Sequence, residues 1–245
     1  MSFFILNRFK TWLKQDLNKV VKALLDQLRI ENKYSYDDFL ASVKTRNINA
    51  PKKKEIKETI PFSNKTYDFS KIEGEIYWEE RELEYIFEIM ADSPEALEDL
   101  KTDFQTWVMN VIEGKLYDPF ILDYHFIVTF SDIDFDDDED IEKTTITVKF
   151  TAYPYKIANK KTVHKIELTA SESKSIEIKN ISSHRITPTF LNTSPITVQM
   201  GNSSYSVPSG EITDDSFKLE SGLTTLTLQS SNNCSVEISY FAEVF

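Results

Sequence analysis

The chemistry-bearing stretch that stands out first is Asp132-Ile-Asp-Phe-Asp-Asp-Asp-Glu-Asp-Ile-Glu142. Asp132, Asp134 and Asp136 match the opening ligand positions of a calcium loop, where alternate carboxylates wrap a hard cation. The sixth position is Asp137, where the sharp turn needs glycine, and the twelfth is Lys143, where a bidentate glutamate should close the shell. The run therefore reads as a solvated hairpin tip rather than a metal site. The histidines, His125, His164 and His184, form no H-x-x-x-H pair and lack a metal-type carboxylate motif. Cys234 is the one cysteine. It excludes an internal disulfide and a Cys-paired zinc site, and no cysteine-enzyme signature surrounds it. There is no G-x-S-x-G elbow and no glycine-rich phosphate loop, and no carboxylate pair stands out for glycoside hydrolysis. No catalytic, cofactor-binding or metal-binding residue is assigned and no cofactor is expected. The residues favour a binding or structural protein over an enzyme.

The 245 residues fit one large domain or two small ones. An apolar share of 40% supplies a real core and excludes wholesale disorder. A net charge of −12 argues against a nucleic-acid partner, because phosphate backbones are gripped by cations. The start, Met1-Ser-Phe-Phe-Ile-Leu-Asn-Arg8, has too short an apolar run for a secretory signal, and no stretch approaches the roughly 20 apolar residues needed to span a bilayer. Synthesis in a cytoplasm is the expectation.

Three zones must hold whatever the chain does. In residues 1–30, Leu6, Phe9, Leu13, Leu17, Val20, Leu24 and Leu28 recur at steps of three and four, so they share one face of a helix. Phe3, Trp12, Val21 and Leu25 widen that face. The zone carries +4, which leaves −16 for the rest. The stripe has three readings: packing on the chain's own core, on a partner or another copy, or on a membrane surface. The expectation is a partner, with Leu6, Phe9, Trp12, Leu13, Leu17, Val20 and Leu24 as the binding residues. Burying a leucine of this kind stabilises by about 1.5–3 kcal/mol.

In residues 31–158, Leu83, Tyr85, Phe87 and Ile89 alternate with Glu82, Glu84 and Glu88, which predicts a half-buried strand. Ser93-Pro94 supplies an N-cap and a first-turn proline. Leu97, Leu100, Phe104, Trp107, Val108 and Val111 follow at helical spacing, and Gly114 is read as the helix stop. Residues 121–130 and 144–152 predict two strands, with the acidic run as the loop between them. Residues 154–161 are read as a link. Residues 163–245 are rich in Ser, Thr and Asn and lack a helical period. Short apolar runs at 166–168, 175–178, 196–198, 217–219, 223–228 and 236–241 are separated by turn residues, which predicts an antiparallel β-sandwich.

A family resemblance covers residues 32–245. It is carried by Asn32-Lys-Tyr-Ser-Tyr-Asp-Asp-Phe39, Ala50-Pro-Lys-Lys-Lys54, Thr59-Ile-Pro-Phe-Ser-Asn-Lys-Thr-Tyr-Asp-Phe-Ser70, Gly74-Glu-Ile-Tyr77, Glu80-Arg81, Leu116-Tyr117 and Thr147-Val-Lys-Phe-Thr-Ala-Tyr-Pro-Tyr-Lys156, in that order. The chain resembles the distal tail protein (Dit) family of long-tailed phages and prophages of Gram-positive hosts.

The resemblance implies an α+β, mainly β chain: a β-barrel-like ring-forming domain with one packed helix at 31–158, then a galectin-like antiparallel β-sandwich at 163–245, preceded here by the amphipathic helix 1–30. It implies a homo-hexamer at the virion tail tip, with a β-hairpin arm engaging the neighbouring subunit. The ring would join the tail tube protein and the tape-measure protein to the tail-tip hub protein, and in many members it holds a receptor-binding protein. No catalytic residues carry over, and no nucleic-acid or membrane partner is implied. Family members usually begin near Ser35-Tyr-Asp-Asp-Phe39, so the preceding helical zone is an addition. A carbohydrate-binding tip protein that recognises host cell-wall glycans is the alternative, weakened because residues 163–245 contain no tryptophan.

Overall fold

The computed structural model describes residues 26–59, 61–62, 64–72, 75–137 and 142–245. The expected helix over 1–30, with its partner-binding stripe Leu6–Leu24, lies outside the described residues up to Leu25. The chain divides into two units at Pro154/Tyr155.

The first unit is built on the alternation at Arg81–Met90. It gives strand β8, whose odd-numbered side chains from Arg81 to Ile89 are buried. The other strands here are β1 (Arg29–Ile30), β2 (Lys33–Tyr34), β3 (Ser42–Ile48), β9 (Gly114–Tyr117), β10 (Tyr124–Asp137) and β11 (Lys143–Ala152). All pairings are antiparallel, in the order β3-β8-β11-β10-β9-β1-β2. The Val43 N–H of β3 also donates to the carbonyl of Asp26, three residues before β1, at 2.6 Å. Between β3 and β8 the chain leaves the sheet through β4 (Lys57–Thr59), β5 (Thr66–Asp68), β6 (Lys71–Ile72) and β7 (Glu75–Ile76).

Ser93 caps the helix Pro94–Met109 by accepting the Ala96 N–H at 3.2 Å, with Pro94 in the first turn. Leu97, Phe104 and Val108 bury its inner face. Phe104 meets Phe87 edge-on at 5.1 Å, and Phe39 of the short helix Ser35–Phe39 stacks on Trp107 at 4.7 Å.

Gly114 does not end the helix. Asn110 does, its side-chain amide donating to the Thr106 carbonyl at 2.7 Å. Gly114 opens β9, where a side chain would meet Val111 Cγ1 at 2.9 Å. The acidic run is likewise strand rather than loop through Asp137. Ile133 and Phe135 interleave with the aspartates at period two and pack against the core, so pairing continues: Asp132 lies opposite Lys149 and Asp136 opposite Thr145.

In the second unit, β12 (Lys156–Leu168), β19 (Cys234–Val244), β14 (Thr189–Asn192) and β17 (Gly210–Thr213) form one antiparallel sheet. The other sheet is β13 (Ser173–Asn180), β18 (Gly222–Gln229), β15 (Ile196–Met200) and β16 (Ser203–Val207). Ile166, Ile178, Val198, Leu226, Leu228, Val236 and Ile238 belong to the shared core, which makes this unit a β-sandwich. Buried Asn180 bridges its end, donating to the His184 and Leu219 carbonyls at 3.1 Å each. Residues read as a link are strand from Lys156. The apolar run 217–219 is core without a strand: Leu219 pairs only with Ile186, across an isolated bridge.

Candidate assembly surfaces

Ala50–Glu80 is the most unusual segment. Lys54 N–H donates to the Tyr77 carbonyl at 2.9 Å, and Glu79 N–H donates to the Lys52 carbonyl at 2.8 Å, so the base is a two-stranded ribbon. Further out Lys57–Thr59 pairs with Thr66–Asp68, and the Phe69 N–H reaches the Ile56 carbonyl at 2.8 Å. A side hairpin follows, Lys71 opposite Ile76. Among the described side chains of Ala50–Glu80, Ser70 alone is buried; it accepts the Ile56 N–H at 2.9 Å. Phe62 at the tip is fully exposed, and Tyr67, Phe69, Ile76 and Tyr77 are exposed along the ribbon.

Physical chemistry makes that arrangement expensive in an isolated chain. Ordering backbone costs roughly 1–2 kcal/mol per residue, and a two-stranded hairpin is marginal in water by itself. Among the described side chains, this segment adds none to the core of the first unit. Exposed aromatics on an ordered ribbon are the composition of a surface that another chain covers.

A second patch rests on a buried pin. Asp118, on the turn after β9, accepts Arg46 Nε, the Tyr85 hydroxyl at 3.3 Å and the Phe120 N–H at 3.0 Å. Burial, reinforced by the Asp118 carboxylate, pushes the Tyr85 phenol well above its ordinary range. The pin holds out the loop carrying Phe120 and Leu122, both largely exposed, with the Arg46 guanidinium 4.4 Å from the Phe120 ring centre. At the start of β8, Arg81 is buried over the Phe126 ring at 4.7 Å. Its Nε and Nη2 have no hydrogen-bond partner among the described residues, and burial lowers its pKa.

A third surface is the outer face of the sheet β13-β18-β15-β16. Pairing aligns Ser173, Gln229, Thr197 and Ser206 in one row and Ser175, Thr227, Gln199 and Ser204 in the next. The first row borders a cleft of about 310 Å³ rimmed by Ser171, Ser230 and Ser231. Tyr205 does not join the outer face; it packs edge-on against Phe217 at 4.9 Å.

His125 lies against Tyr117 in the first unit. In the second, His184 stacks on Tyr155 and meets Glu243 at 3.2 Å, while His164 faces Tyr240. Cys234 is buried and donates to the Ser194 carbonyl at 3.4 Å. Among the described residues no group of three His, Cys, Asp or Glu is placed to hold a metal ion, and no helix is long and apolar enough to cross a membrane.

An antiparallel sheet with a packed helix and a protruding ribbon, followed by a β-sandwich, is a Dit-like fold. One solved structure with this fold is the SPP1 Dit protein, a paradigm of the hub adsorption apparatus in Gram-positive-infecting phages. It aligns at a TM-score of 0.64 with 12% identity, over 88% of this chain and 98% of that one. A chain of the phage P2 baseplate in its activated conformation with Ca aligns more loosely, at a TM-score of 0.40 and 9% identity, over 87% of this chain and 97% of that one. No protein-family model and no curated protein sequence matches the chain.

Proposed function

We propose that this chain is a structural component of a phage tail tip: a hexameric distal tail adaptor that joins the tail tube and tape-measure proteins to the tip hub and receptor-binding apparatus. The observation that carries the reading is the Ala50–Glu80 ribbon, whose described side chains contribute no core residue to its own unit while Phe62, Tyr67 and Phe69 are exposed. A neighbouring copy can cover its aromatics, and successive heterologous contacts of this kind close into a ring when the rotation fits. The Dit-like fold, aligned over 88% of the chain, supports the same reading, and no catalytic role is proposed.

The test is particle mass and shape. Mass photometry and negative-stain microscopy at micromolar concentration should show six-membered rings, single or stacked. A Phe62→Ser, Tyr67→Ser, Phe69→Ser chain should keep its melting temperature and lose the rings. Chains that stay monomeric even with tube and hub proteins added would overturn the proposal.

A second reading, glycan binding by the β-sandwich, is favoured by one observation: the two aligned rows of hydroxyl and amide side chains beside a cleft. Saturable binding of a cell-wall polysaccharide, abolished by Gln229→Ala with Thr197→Ala, would promote it.

A further inference from the structure

Within the second unit, β16 (Ser203–Val207) is the outer strand of its sheet and pairs with β15 alone. The two strands are joined by the two-residue turn Gly201-Asn202, with Gly201 at a φ of 57°. In such a hairpin the closing pair, Met200 and Ser203, exchanges both backbone bonds, and bonded pairs then alternate with unbonded ones. Tyr205 and Val207 therefore bond to β15, while the N–H and C=O of Ser204 and Ser206 point to the open edge. No backbone hydrogen bond from another described segment reaches either serine.

An open edge is a template for another strand, and proteins ordinarily guard one with charge or proline. Other outer strands here are guarded: β13 carries Lys174, Glu177 and Lys179, β3 carries Lys44 and Arg46, and β17 carries Glu211. β16, Ser-Ser-Tyr-Ser-Val, has neither charge nor proline. Its surroundings are equally bare. No charged side chain occurs from Ile186 to Gly210 or from Ser221 to Val236, in a chain that is 28% charged overall.

That absence selects the partner. Two copies of a chain of net charge −12 repel wherever like charges meet, so a contact between copies belongs where charge is missing. The edge is also self-complementary. When two β16 strands run antiparallel about a two-fold axis at Tyr205, Ser204 of each falls opposite Ser206 of the other, and the groups left open are the ones that bond. We infer that β16 is a self-association edge, through which two copies join their sheets by an isologous strand pair. The contact makes a dimer of lone chains and a face-to-face stack of rings, so it stands apart from the ring proposal.

The experiment uses full chains and two readouts. In sedimentation velocity, assembly mass should double between low and high micromolar concentration, in the parent and in the Phe62→Ser, Tyr67→Ser, Phe69→Ser chain alike. Ser204→Pro removes an outward N–H and spares the bonds to β15, a position where edge strands tolerate proline. It should keep the melting temperature and abolish the doubling, as should the charge guard Ser206→Lys. For register, Ser204→Cys chains are mixed with Ser206→Cys chains carrying a tag of different mass, in a glutathione buffer. Opposed residues of a bonded pair lie about 5.5 Å apart at Cα, within disulfide reach. Two Ser204→Cys positions are a further ~6.8 Å out of step along the strand, beyond that reach. The mixed disulfide should exceed either like-with-like product several-fold. Mass that never doubles, doubling that survives both edge variants, or like-with-like links in excess would overturn the inference.

Discussion

Arg46 Nε sits 3.2 and 3.1 Å from the two carboxylate oxygens of Asp118, whose side chain has no exposed surface. The pair joins the edge strand β3 to the loop after β9. Breaking one partner of a buried pair leaves an uncompensated charge, which typically costs about 3–5 kcal/mol. Asp118→Ala should destabilise by that order in urea unfolding. Arg46→Leu with Asp118→Leu should cost clearly less than the sum of the single changes. Additive costs would show that the pair is not coupled.

Gly114→Ala tests packing at the β9 entrance. An added Cβ meets Val111 Cγ1 at 2.9 Å and Ile30 Cγ2 at 3.3 Å. Overpacking of this kind costs about 1–3 kcal/mol, and Val111→Ala should recover part of it. A helix-stop glycine would show no such rescue.

The acidic strand gives opposite outcomes at adjacent positions. Phe135 packs on the core, with Lys101 Nζ 5.4 Å from its ring centre, while Asp136 is exposed. Phe135→Asp should cost about 1–3 kcal/mol, and Asp136→Asn should stay within about 0.5 kcal/mol. Added calcium should leave the melting temperature unchanged. Equal, small effects at both residues would mean that the run is loop.

Two pH limits follow from the first unit. Glu88 on β8 is bonded to Lys44 at 2.6 Å and Lys143 at 2.9 Å, and the Lys44 bond above all holds its carboxyl below the usual glutamate range. A depressed acid contributes stability that is complete above its unfolded pKa and is lost as pH falls through the folded one. The difference in urea midpoint between the parent chain and Glu88→Gln should therefore shrink between about pH 5 and pH 3. Tyr85 has the opposite sign. Its phenol is raised, so its contribution is full below about pH 10 and fades at higher pH. Tyr85→Phe should flatten the alkaline limb; an unchanged limb would remove Tyr85 as the cause.

Local patterns made part of the fold legible. The alternation in β8, the Ser93-Pro94 cap and the apolar runs now found in β15, β18 and β19 each lie within one continuous stretch. What escaped lacks that property. Arg29–Ile30 and Gly114–Tyr117 are too short to show a period and become strands only through tertiary pairing, with each other and with β2 and β10. Asp118 is a lone acid in sequence, paired with an arginine 72 residues away. The Ala50–Glu80 ribbon was foreseeable through the family resemblance and not from its own residues, whose apolar positions follow no period. Gly114 was misread because glycine after a helical pattern is a stop in most settings; here the asparagine before it does that work.

The strand order has a consequence for biosynthesis. Arg29 of β1 pairs with Tyr117 of β9, and β8 lies between β3 and β11, which ends at Ala152. A nascent chain emerging at about 5–20 residues per second therefore spends several seconds with open strand edges before the last pairing partner leaves the ribosome. During that interval the aromatic ribbon is already outside the exit tunnel, next to identical ribbons on the neighbouring ribosomes of the same message. Translation speed across residues 80–152 and chaperone occupancy of nascent chains thus become determinants of yield, independent of how stable the finished protein is.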